Sequence, residues 1–107
     1  MPAVFRGESA RLEWGYYTAA TLGRWTLTID RGTPDDPHPL TRRLVATVLG
    51  LEAYRVRQRP LVFVVPRPGR GPWRFPVLTL ELRPGALVGE LGAKEDPTDV
   101  PIRTAGK

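Results

Sequence analysis

The chain has 107 residues, a formal net charge of +5 and a sequence pI of about 10.4. That length fits a single domain with a modest core, and a hydrophobic content of 41% argues against a disordered chain. The absence of cysteine excludes a disulfide framework, a thiol nucleophile and a thiolate metal site. The basic charge favours an anionic partner, either a nucleic acid or an acidic protein surface.

Apolar runs in the chain are short. The longest, residues 61–65, is far too short to span a bilayer, and residues 1–6 lack the pattern of a signal peptide. We therefore expect a cytoplasmic protein that does not bind a membrane. The chain also has no asparagine, one glutamine and twelve prolines, a composition that predicts a thermophile.

The N-terminal part predicts an arm followed by an antiparallel hairpin. Residues 1–9 are the predicted arm, and the hairpin is predicted over residues 11–30. Apolar and polar residues alternate with period two at 12–16 and again at 25–29, which is typical of half-buried strands. We expect the chain to turn between them at 19–23, where a glycine can adopt positive φ.

An amphipathic helix is predicted next, from Asp36 to Gly50. Asp36 can cap the free N–H groups and Pro37 fits the first turn, while Gly50 suits the position after the last turn. The apolar residues of one helical face are Leu40, Leu44, Val45, Val48 and Leu49. The pattern leaves open whether residues 51–58 extend this helix or form a strand.

The C-terminal part predicts strands separated by turns. Residues 61–65 read as a central strand buried on both faces, and residues 73–83 as a second strand. The leucines predicted to face inward on this second strand are Leu78, Leu80 and Leu82. Residues 84–85, Pro-Gly, suit a type II turn before a short strand over 86–91. Residues 93–107 predict a polar, flexible tail.

These elements together predict an α+β fold. The domain spans residues 10–92 and consists of a mostly antiparallel sheet of about five strands, with the helix packed on one face.

The segment 55–83 carries the functional hypothesis. It contains seven arginines against one acid, Glu81, with aromatic residues between them. Guanidinium groups bind phosphates and flat rings stack on bases. The residues predicted to bind nucleic acid are Arg55, Arg57, Arg59, Arg67, Arg70, Trp73 and Arg74.

Two parts of this segment are the most informative. Arg55, Arg57 and Arg59 are spaced by two, so on a strand they would all point the same way. Residues 66–72 predict a cationic loop between two strands, with Trp73 at its edge. Each feature has an alternative interpretation. The three spaced arginines could belong to an edge strand that is charged to block aggregation. The arginines of the loop could serve only to keep it in contact with solvent, and the tryptophan could serve to close the end of the hairpin.

No pattern predicts catalysis, a metal or a cofactor. His38, the only histidine, lies between two prolines and is predicted to be structural. Asp35 and Asp36 beside it lack the further ligands of a usual metal site. Ser9 is the only serine, which argues against a Ser-His-Asp triad, and no nucleotide-binding glycine motif is present.

The leading hypothesis is a small, non-catalytic protein that binds nucleic acid, single-stranded or duplex, DNA or RNA, through an arginine and aromatic β-hairpin surface. The alternative is a protein-interaction or assembly subunit, such as a phage or mobile-element component, that forms a homo-oligomer. A second alternative is a metal-independent, ribonuclease-like toxin, in which arginine, tyrosine and a carboxylate would cleave RNA.

Overall fold

The computed structural model describes residues 3–29, 42–50, 56 and 60–92. This part of the chain is nearly all β-structure and contains no α-helix. Its strands are β1 (Ala3–Gly7), β2 (Ala10–Trp14), β3 (Tyr17–Ile29), β4 (Arg42–Val48), β5 (Val62–Arg67), β6 (Arg70–Arg83) and β7 (Ala86–Leu91). None of the described segments is a helix long and apolar enough to cross a membrane.

The strands close into a six-stranded antiparallel barrel. Around the barrel the order is β3, β2, β5, β6, β7 and β4, and the pairing of β3 with β4 completes the circle. β1 lies outside this circle and pairs with the C-terminal half of β3. Closure satisfies the backbone groups of the barrel strands without leaving long edges.

β1 and β2 behave as one interrupted strand along β3. Gly7 pairs with Trp25 and Ala10 pairs with Leu22, so two residues on one side match two on the other across the interruption. The segment that the sequence assigned to an N-terminal arm thus includes a strand that is paired along its length with β3.

The predicted α+β class and its amphipathic helix are wrong. Residues 42–48 form β4, in which Arg42, Leu44 and Ala46 are buried and the residues between them are exposed. The apolar spacing that suggested a helix included Val45 and Leu49, which are 40% and 66% exposed. The first buried residue of β4 is an arginine, which a sequence pattern assigns to the surface. The alternation of buried and exposed residues that marks a strand was therefore not visible in the sequence. Residues 36–41 of the predicted helix lie outside the described part.

An antiparallel hairpin lies within residues 10–29, but its pairing differs from the one predicted over 11–30. β2 pairs with residues 17–22 of β3, whereas residues 25–29 pair with β1 and β4. β2 pairs with β3 across a tight turn at Gly15 and Tyr16, where Gly15 has a φ of 64°. The turn predicted at 19–23 is wrong, since these residues lie within β3. Ala19 and Ala20 are buried there, so small apolar residues that resembled a turn are part of the core.

Aromatic rings fill the centre of the barrel. Trp25 contacts Phe63 edge to face, with 5.6 Å between ring centroids, and Phe63 contacts Phe75 at 6.2 Å. The aliphatic residues that pack around them include Leu12, Leu22, Leu27, Leu44, Leu87 and Leu91. The predicted burial of residues 61–65 on both faces holds at the centre of that strand, where Phe63 and Val64 are fully buried.

Arg42 is a charged residue inside this apolar interior. It is 1% exposed, its Nη1 donates a hydrogen bond to the carbonyl of Gly92 at 3.1 Å, and its Cζ lies 5.9 Å from the centroid of the Phe75 ring. Burial lowers the pKa of Arg42, although an arginine remains charged under any physiological condition. The guanidinium therefore links β4 to the end of β7 and to β6.

Two Pro-Gly turns connect the C-terminal strands. The turn predicted at 84–85 is confirmed, with a φ of 71° at Gly85. Residues 66–72, predicted as a loop, instead belong mostly to β5 and β6, with a two-residue turn whose Gly69 has a φ of 69°. β6 contains a bulge at Leu78, which leaves this leucine 51% exposed rather than inward-facing, while Leu80 packs on the core.

Candidate nucleic-acid interface

The predicted site residues fall into two groups. Arg55, Arg57 and Arg59 lie outside the described residues; within their segment only Val56 is described, and it is buried. The remaining four, Arg67, Arg70, Trp73 and Arg74, lie in the hairpin formed by β5 and β6. The fold thus brings these four onto one short element, which we call the β5–β6 hairpin.

Arg67 is held in place by two contacts within the hairpin. Its Cζ lies 5.2 Å from the centroid of the Trp73 ring, and its Nε donates a hydrogen bond to the carbonyl of Gly71 at 2.8 Å. Trp73 is half-buried and packs against the barrel core. The ring therefore contacts both the barrel core and a guanidinium, while its predicted stacking on bases stays a prediction.

Arg74 takes part in an ion-pair network with the neighbouring strand β2. Its Nη1 lies 3.2 Å from Oε1 of Glu13, and the Nε of Arg11 contacts Oε2 of the same carboxylate. Arg11 and Arg74 are the cross-strand neighbours of Val64, which is fully buried. Glu13 therefore neutralises part of the positive charge of Arg74.

Arg70 is the arginine of the β5–β6 hairpin whose charge is exposed to solvent. It pairs with Arg67 across the turn, its side chain is exposed, and within the described part of the chain it has no ion-pair or hydrogen-bond partner. Arg67 and Arg70 therefore flank the two-residue turn with two guanidinium groups.

A second group of arginines was missed by the sequence reading. They lie on the outward-facing side of β1, β3 and β4, which we call the β1–β3–β4 face. Its residues are Val4, Arg6, Arg24, Thr26, Thr28, Arg43, Val45 and Thr47. No acid is among them. The alternation of arginine and threonine with buried apolar residues along β3 was the signal that could have indicated this face.

The outward-facing side of β6 and β7 has a different charge pattern. It forms a groove of about 480 Å³ that includes Glu81, Arg83 and Glu90, and Arg43 of the β1–β3–β4 face also lines it, directly opposite Glu90. Arg83 donates two hydrogen bonds to Glu81, which lower the pKa of Glu81 and raise the pKa of Arg83. Thr79 donates a hydrogen bond to Glu90 at 3.2 Å. Two acids and two arginines therefore line this groove, so its charges balance, and the groove borders the β1–β3–β4 face at Arg43.

The described residues contain no group of three or more His, Asp or Glu side chains placed to hold a metal ion. His38, Asp35 and Asp36 lie outside those residues. Comparison with known protein families, with curated proteins and with solved structures found no match for this chain. The class defined by fold and surface is a six-stranded antiparallel barrel with a cationic hairpin.

Proposed function

We propose that this protein is a small, non-catalytic nucleic-acid-binding domain whose contact surface includes the tip of the β5–β6 hairpin. One observation carries the proposal: Arg67 is stacked on Trp73 and tied to the Gly71 carbonyl, directly across the turn from the exposed Arg70. A guanidinium that is already ordered loses little side-chain entropy when it binds a phosphate, and its planar fork matches phosphate geometry.

The charge of the whole chain supports the same proposal. A net charge of +5 on 107 residues attracts polyanions over distances beyond direct contact. Arg55, Arg57 and Arg59 remain predicted contributors to the same surface. We also propose that the protein acts in the cytoplasm, where nucleic acid is available to it.

Fluorescence anisotropy with labelled oligonucleotides tests the proposal. Single-stranded and duplex DNA and RNA are titrated with protein at about 50 mM salt, and we expect at least one to bind with a Kd below about 100 μM. The double substitution Arg67→Ala and Arg70→Ala should weaken binding and flatten the dependence of affinity on salt.

The matched control for this experiment is Arg83→Ala. It removes one positive charge from a residue that is ion-paired with Glu81 on the outward side of β6, so binding should change little. Failure of every oligonucleotide to bind the folded protein would overturn the proposal.

A second candidate function is an assembly subunit that forms a homo-oligomer, such as a component of a phage or mobile element. Among the described strands, β1 pairs with β3 on one side and with no strand on its other side. An edge of this kind can accept a strand from another chain. Light scattering with and without oligonucleotide separates the two: a defined oligomer that ignores oligonucleotides supports assembly.

A further inference from the structure

The β1–β3–β4 face groups exposed arginines on one stretch of the barrel wall, and two acids border it. Glu90 of β7 lies directly opposite Arg43, and the exposed Glu8 lies in the interruption between β1 and β2. The β1–β3–β4 face carries Arg6, Arg24 and Arg43, all exposed, and none has an ion-pair partner within the described part of the chain. The hydroxyl groups of Thr26 and Thr28 lie between them on β3. The face therefore offers only cationic and hydroxyl donors, together with two valines.

The strand pairing sets the spacing of the three arginines. Arg6 lies opposite Thr26, and Arg24 is two residues from Thr26 on the same strand, so their Cα atoms form a diagonal pair about 7–8 Å apart. Arg43 lies opposite Thr28, two strands away from β1, which places it roughly 12 Å from Arg6. These separations span several phosphates of a duplex, which carries one charge per about 1.7 Å of axis.

The face and the tip of the β5–β6 hairpin lie toward the same end of the sheet, near the interruption that holds the exposed Glu8. β5 runs antiparallel to β2, so its C-terminal end, which carries Arg67, lies at the same end of the sheet as the interruption between β1 and β2. Arg24 lies between Leu22 and Trp25, the β3 residues that flank this interruption. Arg24 thus stands on the side of the face that is nearest the hairpin tip.

We propose that the β1–β3–β4 face binds the phosphate backbone of a duplex nucleic acid without reading its base sequence. The proposal rests on the nucleic-acid-binding function proposed above and specifies its ligand. Arginine and threonine are donors to phosphate oxygens, whereas base readout requires side chains that reach base edges in a groove.

The lack of aromatic residues on the β1–β3–β4 face favours a duplex over a single strand as its ligand. Proteins that hold single strands combine a basic groove with aromatic rings on which bases stack. The β1–β3–β4 face has no aromatic residue, and the Trp73 ring of the hairpin is covered by Arg67. A duplex keeps its bases stacked internally and presents only backbone to such a surface.

The test uses the full chain, a labelled duplex of about 20 base pairs and each of its single strands. We expect the duplex to bind more tightly than either strand. The triple substitution Arg6→Ala, Arg24→Ala and Arg43→Ala should flatten the log–log salt slope for the duplex by about 0.9 per lost contact, thus by roughly two to three. A second duplex of unrelated sequence should bind within about tenfold of the first, because no bases are read.

Arg83→Ala is again the matched control, since Arg83 is ion-paired with Glu81 on β6 and lies outside the β1–β3–β4 face, so its loss should leave the slope unchanged. If the triple variant does not fold, as judged by circular dichroism, the three single variants replace it, each with an expected change of about 0.9.

The two proposals fail in different ways. If single strands bind as tightly as the duplex, or the slope is unaffected by the substitutions on the face, the duplex proposal is overturned while nucleic-acid binding stands. If neither strands nor duplexes bind the wild-type protein, the function itself is overturned.

Discussion

The guanidinium of Arg67 lies over the indole ring of Trp73, with 5.2 Å between Cζ and the ring centroid. Trp73 is anchored in turn by the barrel core on which it packs. The stack therefore connects the interior of the barrel to the tip of the β5–β6 hairpin, and it makes the position of a surface charge depend on core packing.

Trp73→Ala should lower both stability and affinity. Loss of the half-buried ring should reduce the free energy of unfolding by about 2–3 kcal/mol, below the range for a fully buried tryptophan. Nucleic-acid binding should weaken because Arg67 loses its support, while the salt slope should stay nearly unchanged because the charge remains. Chemical denaturation and anisotropy measure the two effects. Tyr16→Ala, at a fully exposed ring, is the control, and equal effects from both variants would contradict the role of the stack.

Glu13→Gln should strengthen binding at low salt. The substitution removes the carboxylate charge that holds Arg74 and Arg11, so either guanidinium becomes available to a phosphate. The log–log salt slope should steepen by about 0.9 for each added contact. Stability should fall by only about 1 kcal/mol, since the pairs are partly exposed to solvent.

Glu81→Gln is the matched control for Glu13→Gln. It changes the net charge by the same amount on the outward side of β6, where Glu81 is ion-paired with Arg83. Equal salt slopes for the two variants would show that Arg74 lies away from the bound ligand.

Arg42→Ala should destabilise the barrel by about 2–5 kcal/mol. The change opens a cavity in the interior and removes the hydrogen bond to Gly92 that ties β4 to the end of β7. Arg42→Met, which fills the space without the charge, should recover part of this loss. Thermal and denaturant unfolding measure both variants; a loss below about 0.5 kcal/mol for the alanine variant would contradict the buried position of Arg42.

The pair of Arg83 and Glu81 should respond to acid. Its hydrogen bonds and positive charge hold the pKa of Glu81 below the usual value for a glutamate. Because the folded pKa lies below the unfolded one, the contribution of the pair to stability is present above the unfolded pKa and is lost as pH falls through the folded pKa. Arg83→Ala should therefore raise the pKa of Glu81, as measured by NMR titration of its carboxyl carbon. Arg43→Ala should leave it unchanged, and an identical pKa in the wild type and Arg83→Ala would contradict the ion pair.

The local sequence pattern was sufficient to predict several strands and one turn. Residues 25–29 and 86–91 lie in strands as predicted, and the Pro-Gly turn at 84–85 is present. These features follow from alternation along a single strand and from the φ preferences of proline and glycine. Both are properties of neighbouring residues, so the sequence carries them directly.

The helix predicted from Asp36 to Gly50 shows where local pattern misleads. Val45 and Leu49 matched a helical face, but within the described residues this segment is a barrel strand that presents Val45 to solvent. Arg42 takes an inward position that local hydrophobicity assigns to an apolar residue. Neighbours on β6 and at the end of β7 help make that position tolerable, because they supply an aromatic ring and a carbonyl oxygen.

For the candidate site, the sequence by itself determined the excess of positive charge and the placement of arginine beside tryptophan in the β5–β6 hairpin. The tertiary structure decided which arginines remain open to a ligand. Glu13 reaches Arg74 across 61 residues of sequence, and Arg6, Arg24 and Arg43 share a face only because β1, β3 and β4 pair. Ion pairs and sheet faces depend on contacts between distant segments, and those contacts exist only after the chain has closed into the barrel.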